Sequence, residues 1–135
     1  MWRDGLGLSN HINGVVIKGD YSDLSSDGMW KNGYVFEYDT DGRYAIYKIV
    51  NGSWSQLKGW TYSDAINKGS AWNVLKITTF GSKMDFYINN VKVAEVTDST
   101  HSTGNVGIFM HRGIRSGGDK LWVDYAKLDV VNIIP

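Results

Sequence analysis

Three carboxylates stand at alternate positions in the stretch FEYDTDG, residues 36–42, namely Glu37, Asp39 and Asp41. In an extended strand, alternate side chains point to one face and are separated by about 6.6 Å along the chain. Retaining glycoside hydrolysis uses two carboxyl groups about 5 to 5.5 Å apart, which flexible side chains at this spacing can reach. The stretch therefore fits either acid/base chemistry on a sugar or a strand that runs into a tight turn before Gly42.

Other catalytic constellations are not indicated. His11, His101 and His111 are scattered, and no HxH or HExxH spacing suggests zinc. The chain has no cysteine, which removes thiol nucleophiles and cysteine-based metal sites, and excludes disulfide support. The compartment stays open on this ground, because absence of cysteine suits a cytoplasmic protein and an excised secreted module alike.

Length and charge restrict the classes of partner. The 135 residues fit a single domain, residues 1–135, with one core. Fourteen basic residues balance fourteen acidic ones, so no overall field attracts nucleic acid or an anionic membrane surface. There is no apolar run near the ~20 residues of a membrane span, and residues 1–10 lack the features of a secretion signal. We expect no nucleic-acid partner and no membrane insertion.

Strands joined by tight turns must position the candidate residues. Sixteen glycines, one proline and many aromatic residues are typical of a protein made of many short strands joined by tight turns. The segment YVFEYD, residues 34–39, alternates in the period of a strand, and Asp41-Gly42 predicts a hairpin turn with positive φ at both positions. Similar turns are predicted at 51–52, 81–82 and 89–90. About nine or ten strands, the last being KLWVDYAKLDV at 120–130, predict an all-β, antiparallel two-sheet β-sandwich, with a helical turn credible only at 63–67.

The alternation also predicts the core. Met84, Phe86 and Ile88 share one face of their strand, and the expected core partners are Leu75, Ile77, Val106, Ile108, Met110, Trp72 and Trp122. The opposite faces carry polar groups mixed with aromatic rings, among them Tyr87, Phe109 and His111. A binding face is expected there.

The order of these segments resembles the concanavalin A-like lectin/glucanase superfamily. The likeness covers about Gly33 to Val130, is carried by the run from Trp72 through FYIN to Asp98 and GNVGIF, and is greatest to laminin G-like and keto-disaccharide-hydrolase-like domains. Residues 1–30 match less well. The resemblance implies a concanavalin A-like jelly roll, an extracellular or cell-surface location, and other domains of a larger parent protein as partners.

Glucanases of this superfamily carry a Glu-x-Asp-x-Glu strand, whose counterparts here are Glu37 as nucleophile, Asp39 as supporting carboxylate and Asp41 as proton donor. Asp41 departs from the motif, because it is one methylene shorter than Glu and precedes Gly42 in the expected turn. The alternative is that Asp39 and Asp41 satisfy amide groups of the turn and Glu37 is a solvated strand residue. Catalysis is disfavoured by this departure.

A structural calcium ion is the one cofactor that the resemblance implies. The segment VDYAKL is similar to the closing strand of many sandwich glucanases and carbohydrate-binding modules, in which the counterpart of Asp124 helps to hold Ca²⁺ with ligands from near the N-terminus. Calcium accepts six to eight oxygens in flexible geometry. The alternative is a salt-bridged or hydrogen-bonded strand aspartate, with no cofactor at all.

Six tryptophans in 135 residues suggest the function, since sugar-binding modules stack aromatic rings on the C–H faces of pyranoses. Trp60 and Tyr62 fall in a stretch that we expect to be irregular, and these two residues, with Trp30 and Trp54, are candidates for exposure. The favoured hypothesis is a non-catalytic carbohydrate- or glycan-binding module, with candidate contacts at Glu37, Trp54, Trp60, Tyr87 and His111. The alternatives are a glycoside hydrolase-like enzyme using Glu37 and Asp39, and a structural or protein-interaction domain.

Overall fold

A computed structural model gives the fold and describes residues 1–4, 11–26, 28–112 and 120–129. Over these residues the chain forms ten strands and no helix: β1 (Trp2–Asp4), β2 (His11–Gly19), β3 (Gly33–Asp39), β4 (Arg43–Val50), β5 (Ser53–Tyr62), β6 (Leu75–Phe80), β7 (Lys83–Ile88), β8 (Val91–Thr97), β9 (Asn105–Arg112) and β10 (Lys120–Trp122). Nothing in this part of the chain is a helix of the length and apolarity that a membrane span requires.

The strands form three antiparallel sheets. The largest has five strands in the order β5-β4-β3-β2-β9, the second has three in the order β6-β7-β8, and β1 pairs with β10. Mutual hydrogen bonds between the main chains of Met1 and Asn73 tie the start of β1 to the segment before β6. The prediction of an all-β, antiparallel two-sheet sandwich is confirmed.

Two of the predicted hairpins have the expected turn. Asn51-Gly52 has φ of 49° and 83°, and Asn89-Asn90 has φ of 49° and 67°. Positive φ at both central positions matches the right-handed twist of the flanking strands, and Asn and Gly tolerate it best. At the β6–β7 turn only Gly81, with φ of 59°, is in the left-handed region.

The β3–β4 turn differs from its prediction. Tyr38 pairs with Tyr44, so the loop is centred on Asp41, and only Gly42 has positive φ, at 99°. A two-residue turn with positive φ at Asp41 is therefore wrong. The observed loop is longer because the side chain of Asp39 binds the amides of the turn, as described below.

The two large sheets pack through their facing apolar side chains. The buried cluster contains Tyr34, Phe36, Tyr38, Tyr44 and Ile46 of the five-stranded sheet with Met84, Phe86 and Ile88 of the three-stranded sheet. The rings of Phe36 and Phe86 meet edge-to-face with centroids 5.1 Å apart. Met84, Phe86 and Ile88 are buried as predicted, and Leu75 and Ile77 pack against this core.

Polar groups link the sheets at the margin of the core. The Tyr44 hydroxyl donates to the Val93 carbonyl at 2.7 Å. The Asp98 carboxylate accepts hydrogen bonds from the Tyr34 hydroxyl at 2.6 Å, the Thr100 amide at 2.9 Å and the Lys48 ammonium at 3.0 Å. Burial alone would raise the pKa of Asp98, but these hydrogen bonds outweigh it and hold the pKa below its usual range.

Several predicted core residues are not in the core. Val106, Ile108 and Met110 are about half exposed, because β9 is the edge strand of its sheet and the three-stranded sheet packs on β3 and β4. Trp72 and Trp122 are also about half exposed, since Trp72 precedes β6 and Trp122 ends the short β10.

The predicted last strand is limited to Lys120–Trp122, and Val123 to Asp129 form no strand. Residues 63–67 form a turn, not a helix.

Candidate functional site

The face of the five-stranded sheet that points away from the core carries most of the candidate residues. Tyr34, Phe36 and Tyr38 point into the core, so Glu37 and Asp39 of β3 point to the opposite face. Cross-strand partners share a face, which places Gly14 and Ala45 on either side of Glu37. By the same register Phe109 and His111 of β9, and Tyr47, Trp54 and Gln56 of the β4–β5 hairpin, lie on this face.

This face is concave. Trp54 and Phe109 are on the two edge strands, β5 and β9, which in a flat sheet would be separated by four strand spacings, or about 19 Å. Their ring centroids are only 5.6 Å apart, and Trp54 also contacts Tyr47 at 5.5 Å. The sheet must therefore curl toward this side. We name it the concave face.

One end of the concave face is filled by the β2–β3 loop. Trp30 packs over two glycines: a Cβ built on Gly19 would lie 2.7 Å from the indole, and one built on Gly107 would lie 2.3 Å from it. Beneath it Val16, Val35, Ile49 and Phe109 form a second buried apolar cluster. The glycines make room for the ring, and the indole seals this end of the sheet.

Glu37 lies on the floor of the concave face and is only 4% exposed. Its neighbours Gly14 and Ala45 leave it without a large side chain on either adjoining strand. Desolvation by burial, with a smaller contribution from the charge of Asp39, raises the pKa of Glu37 to about 7. Near neutral pH this carboxyl group is thus present in both protonated and ionised forms, and the protonated form can donate a hydrogen bond.

Asp39 is fully engaged in the adjoining turn. Its Oδ1 accepts the amides of Asp41 at 3.1 Å and Arg43 at 2.9 Å, and its Oδ2 accepts Nε and Nη2 of Arg43, both at 2.7 Å. Both oxygens are therefore occupied. Asp39 therefore binds its own turn, as the alternative to catalysis expects, and Asp41 lies in the loop itself. The same alternative expects a solvated Glu37 and is wrong there, because Glu37 is buried.

Arg43 connects this turn to aromatic rings on β5. Its guanidinium carbon lies 5.4 Å from the ring centroid of Trp60 and 5.9 Å from that of Tyr62. Trp60 and Tyr62 belong to strand β5, and the irregularity expected there takes the form of two register shifts in its pairing with β4. The bulges kept the alternation from being visible in the sequence. The shared cation fixes both rings at one side of the concave face.

The remaining candidates divide between two surfaces. His111 is exposed and lies opposite Ile12 on the concave face. Tyr87 lies on β7, on the outer side of the three-stranded sheet, where Lys76 Nζ stands 4.4 Å from its ring centroid. The structure therefore brings Glu37, Trp54, Trp60 and His111 to one face and leaves Tyr87 on another.

Asp124 follows β10 and is exposed, outside any strand. Burial lowers the pKa of the Met1 amino group and the charge of Asp124 partly counteracts this, so the two groups are near one another. Within the described ranges no group of three or more His, Asp and Glu side chains could hold a metal ion. The described residues alone do not supply a calcium site.

Sequence reasoning did not identify Arg43, Gln56 or Tyr62 as members of the site. Gln56 Nε2 donates to the Tyr47 hydroxyl at 3.0 Å on the concave face. The available signal was register: once the hairpin turn at 51–52 is accepted, counting outward pairs Gln56 with Tyr47 and Trp54 with Ile49. Past Gln56 the bulges shift this count, so Arg43 and Tyr62 could not be paired from the sequence.

Two solved structures resemble the chain. The carbohydrate-binding module CBM66 from Bacillus subtilis matches with a TM-score of 0.60 and 22% identity, over 80% of this chain and 60% of that one. Sheep galectin-11 in complex with glycerol matches with a TM-score of 0.51 and 13% identity, over 80% of this chain and 86% of that one. No protein-family model and no curated protein sequence matches significantly. At these identities the likeness concerns the fold: the chain is a β-sandwich of the kind found in a carbohydrate-binding module and a galectin.

Proposed function

We propose that this domain is a non-catalytic carbohydrate-binding module of concanavalin A-like type, which binds a glycan on its concave face. The observation that carries the proposal is the placement of Trp54, Trp60, Tyr62 and a buried carboxyl group, Glu37, on one curved surface. Support comes also from the fold, since one structure of similar fold is itself a carbohydrate-binding module.

The proposed contacts combine stacking with hydrogen bonds. Trp54 is 37% exposed and Tyr62 71% exposed, so each ring has a surface open to a ligand. Aromatic rings stack on the C–H faces of sugars, while polar groups at their edges read the hydroxyls. Glu37 and the exposed side chains of Gln56 and His111 supply such polar groups. The site would suit a chain of neutral sugar residues that follows the curvature.

The geometry favours binding over hydrolysis. A retaining or inverting glycosidase needs two carboxyl groups that act together across the scissile bond. The raised pKa of Glu37 would suit a general acid, but its neighbour Asp39 is held through both oxygens by Arg43 and the turn amides. Asp41, the third carboxylate of the stretch, lies in the β3–β4 loop and not on a strand.

Glycan-array screening tests the proposal, in one arm with calcium and in one with EDTA. We expect retention of at least one glycan, and equal retention in EDTA unless Asp124 and residues outside the described ranges hold calcium. No retained glycan in either arm would contradict the proposal.

Tryptophan variants locate the site. With a glycan found on the array, Trp54→Ala or Trp60→Ala should weaken binding about tenfold or more, the loss expected for one stacking contact. Trp72→Ala is the matched control, because Trp72 is also exposed but lies beside the other sheet. Equal losses in all three variants would place the ligand elsewhere.

A further inference from the structure

A second concavity lies at the end of the sandwich where β2 ends and β3 and β9 begin. It has a volume of about 350 Å³ and is lined by Lys18, Gly19, Asp20, Asn32, His101, Thr103, Gly104 and Asn105. We name it the end cleft. A volume near the lower limit of small-molecule sites, about 300 to 1,000 Å³, suits a single sugar ring.

The backbone at the end cleft departs from regular strand geometry. Lys18 has φ of 49°, and the pairing of β2 with β9 shifts register between Val16 and Gly19. Gly104, with φ of 152°, approaches so closely that a Cβ there would lie 2.5 Å from the Gly19 carbonyl oxygen. Bulges of this kind re-aim side chains at the margin of a sheet. Here the bulge lies between the end of β2 and the start of β9, beside the concavity.

Two amide groups present hydrogen-bond donors at the end cleft. The side-chain oxygen of Asn105 accepts the amide of Tyr21 at 3.3 Å, and that of Asn32 accepts the amide of Asn51 at 3.1 Å. A main-chain N–H can only donate, so the atom that faces it must be the amide oxygen in both cases. The two NH₂ groups are thereby oriented away from these contacts and have no partner among the described residues.

An acceptor and an aromatic ring adjoin these donors. Asp20 Oδ1 accepts the amide and the hydroxyl of Ser22, at 2.9 and 2.5 Å. These hydrogen bonds lower the pKa of Asp20, so the carboxylate is ionised at neutral pH, with Oδ2 outside these bonds. Tyr21 is 68% exposed, and its ring centroid lies 6.4 Å from that of Trp30. The end cleft thus offers a carboxylate acceptor and two NH₂ donors, and Tyr21 follows Asp20 directly in the chain.

This combination selects one class of ligand. A metal ion would need several oxygens, but the amide oxygens of Asn32 and Asn105 are already occupied by main-chain donors. The opposite charges of Lys18 and Asp20 in the lining give no net attraction for an anionic ligand. Vicinal hydroxyls can donate to a carboxylate and accept from NH₂ groups at the same time.

We propose that the end cleft is a second sugar-binding site, which holds one neutral sugar residue between Asp20, Asn32 and Asn105. The end cleft would bind the same class of ligand as the concave face, a sugar, but it uses none of the side chains assigned to the concave face. A glycan contacted at both sites would gain affinity through multivalency, and either site can also act alone.

The test is a titration of the ¹⁵N-labelled protein with glucose, galactose, mannose and fructose, each at millimolar concentration, followed by amide chemical shifts. Asn105→Asp and Asn32→Asp retain the oxygen that accepts the main-chain hydrogen bond and replace the NH₂ donor with an acceptor. Asn90→Asp is the matched control, since Asn90 lies in the β7–β8 turn, at the opposite end of β8 from the segment that lines the cleft. A native amide spectrum for each variant confirms that the fold is kept.

We expect at least one sugar to shift the amide signals of Tyr21 and Gly104, with binding about tenfold weaker in Asn105→Asp and unchanged in Asn90→Asp. Absence of shifts at these amides with every sugar, or equal binding by Asn105→Asp, would overturn the proposal. Trp54→Ala separates the two sites: cleft shifts that persist in it, without shifts of the Trp54 and Trp60 indoles in the parent protein, support the end cleft while contradicting the concave face. Shifts confined to the Trp54 and Trp60 indoles support the concave face and contradict the end cleft.

Discussion

Replacing Glu37 by glutamine should stabilise the domain above neutral pH and have little effect in acid. The pKa of this carboxyl group is raised from 4.5 to about 7, mainly because burial disfavours its ionised form. The folded protein therefore holds the proton more tightly than the unfolded chain does. Since the unfolded chain binds fewer protons between these two pH values, the free energy of unfolding falls as the pH rises from about 4.5 to about 7.

The size of the effect follows from the shift. Each pKa unit corresponds to 1.36 kcal/mol, so a rise from 4.5 to about 7 costs about 3 kcal/mol of stability once the pH exceeds 7. Below pH 4.5 both states are protonated and the cost vanishes. Glutamine has nearly the same shape and never ionises, so Glu37→Gln should match the parent at pH 4.5 and exceed it by up to about 3 kcal/mol at pH 8. For a domain of this size the corresponding rise in Tm is roughly 10 °C.

Urea unfolding at several pH values between 4.5 and 9 measures this difference. Glu95→Gln is the matched control, because Glu95 is exposed on β8 beside Lys92, which lowers its pKa. Its replacement should leave the pH dependence between 5 and 8 unchanged. A gap between Glu37→Gln and the parent that is the same at pH 5 and pH 8 would refute the assignment of a desolvated carboxyl group, as would destabilisation at high pH.

Three further predictions concern the packing and the polar contacts between the sheets. Gly14→Ala should lower the free energy of unfolding in urea by roughly 2 kcal/mol, because the new Cβ would lie 2.4 Å from the Phe36 carbonyl oxygen. Gly59→Ala is its control and should be nearly neutral, since a Cβ there meets nothing closer than 3.5 Å. Phe86→Ala should cost about 3 to 5 kcal/mol and Val91→Ala, at an exposed position, well under 1 kcal/mol; similar losses would contradict the assigned core. Asp98→Asn should cost about 2 kcal/mol at pH 7 through weakened hydrogen bonds. Because the pKa of Asp98 is lowered from 3.8, its contribution is present above that pH and disappears on acidification, so the variant and parent should converge in acid.

Much of the fold was predictable because local signals agree with the tertiary structure. The alternation in 34–39 and 84–88, and the turns at 51–52 and 89–90, depend on side-chain period and on the φ preferences of Asn and Gly, which need no knowledge of distant residues. The same local logic predicted that Asp39 binds the amides of its own turn.

The misassigned residues depend on information that is not local. Ile108 and Met110 alternate like core residues, but their burial depends on whether the opposite sheet extends over β9, which no property of their own segment reveals. The burial of Glu37 depends on Gly14 and Ala45, which flank it only after three strands are placed in register. The end cleft likewise combines residues 18–20, 32 and 101–105, so its chemistry could not be recognised along the sequence.

The contact between Trp54 and Phe109 has a consequence for dynamics. Edge strands usually fray first and independently, because each has a single hydrogen-bonded neighbour. Here the two edges of one sheet, β5 and β9, are joined through a ring pair with centroids 5.6 Å apart. Opening of either edge breaks that pair, so the exchange of amide hydrogens with deuterium in β5 and β9 is expected to be coupled. A ligand bound on Trp54 of β5 would then also slow exchange in β9, at the far side of the sheet.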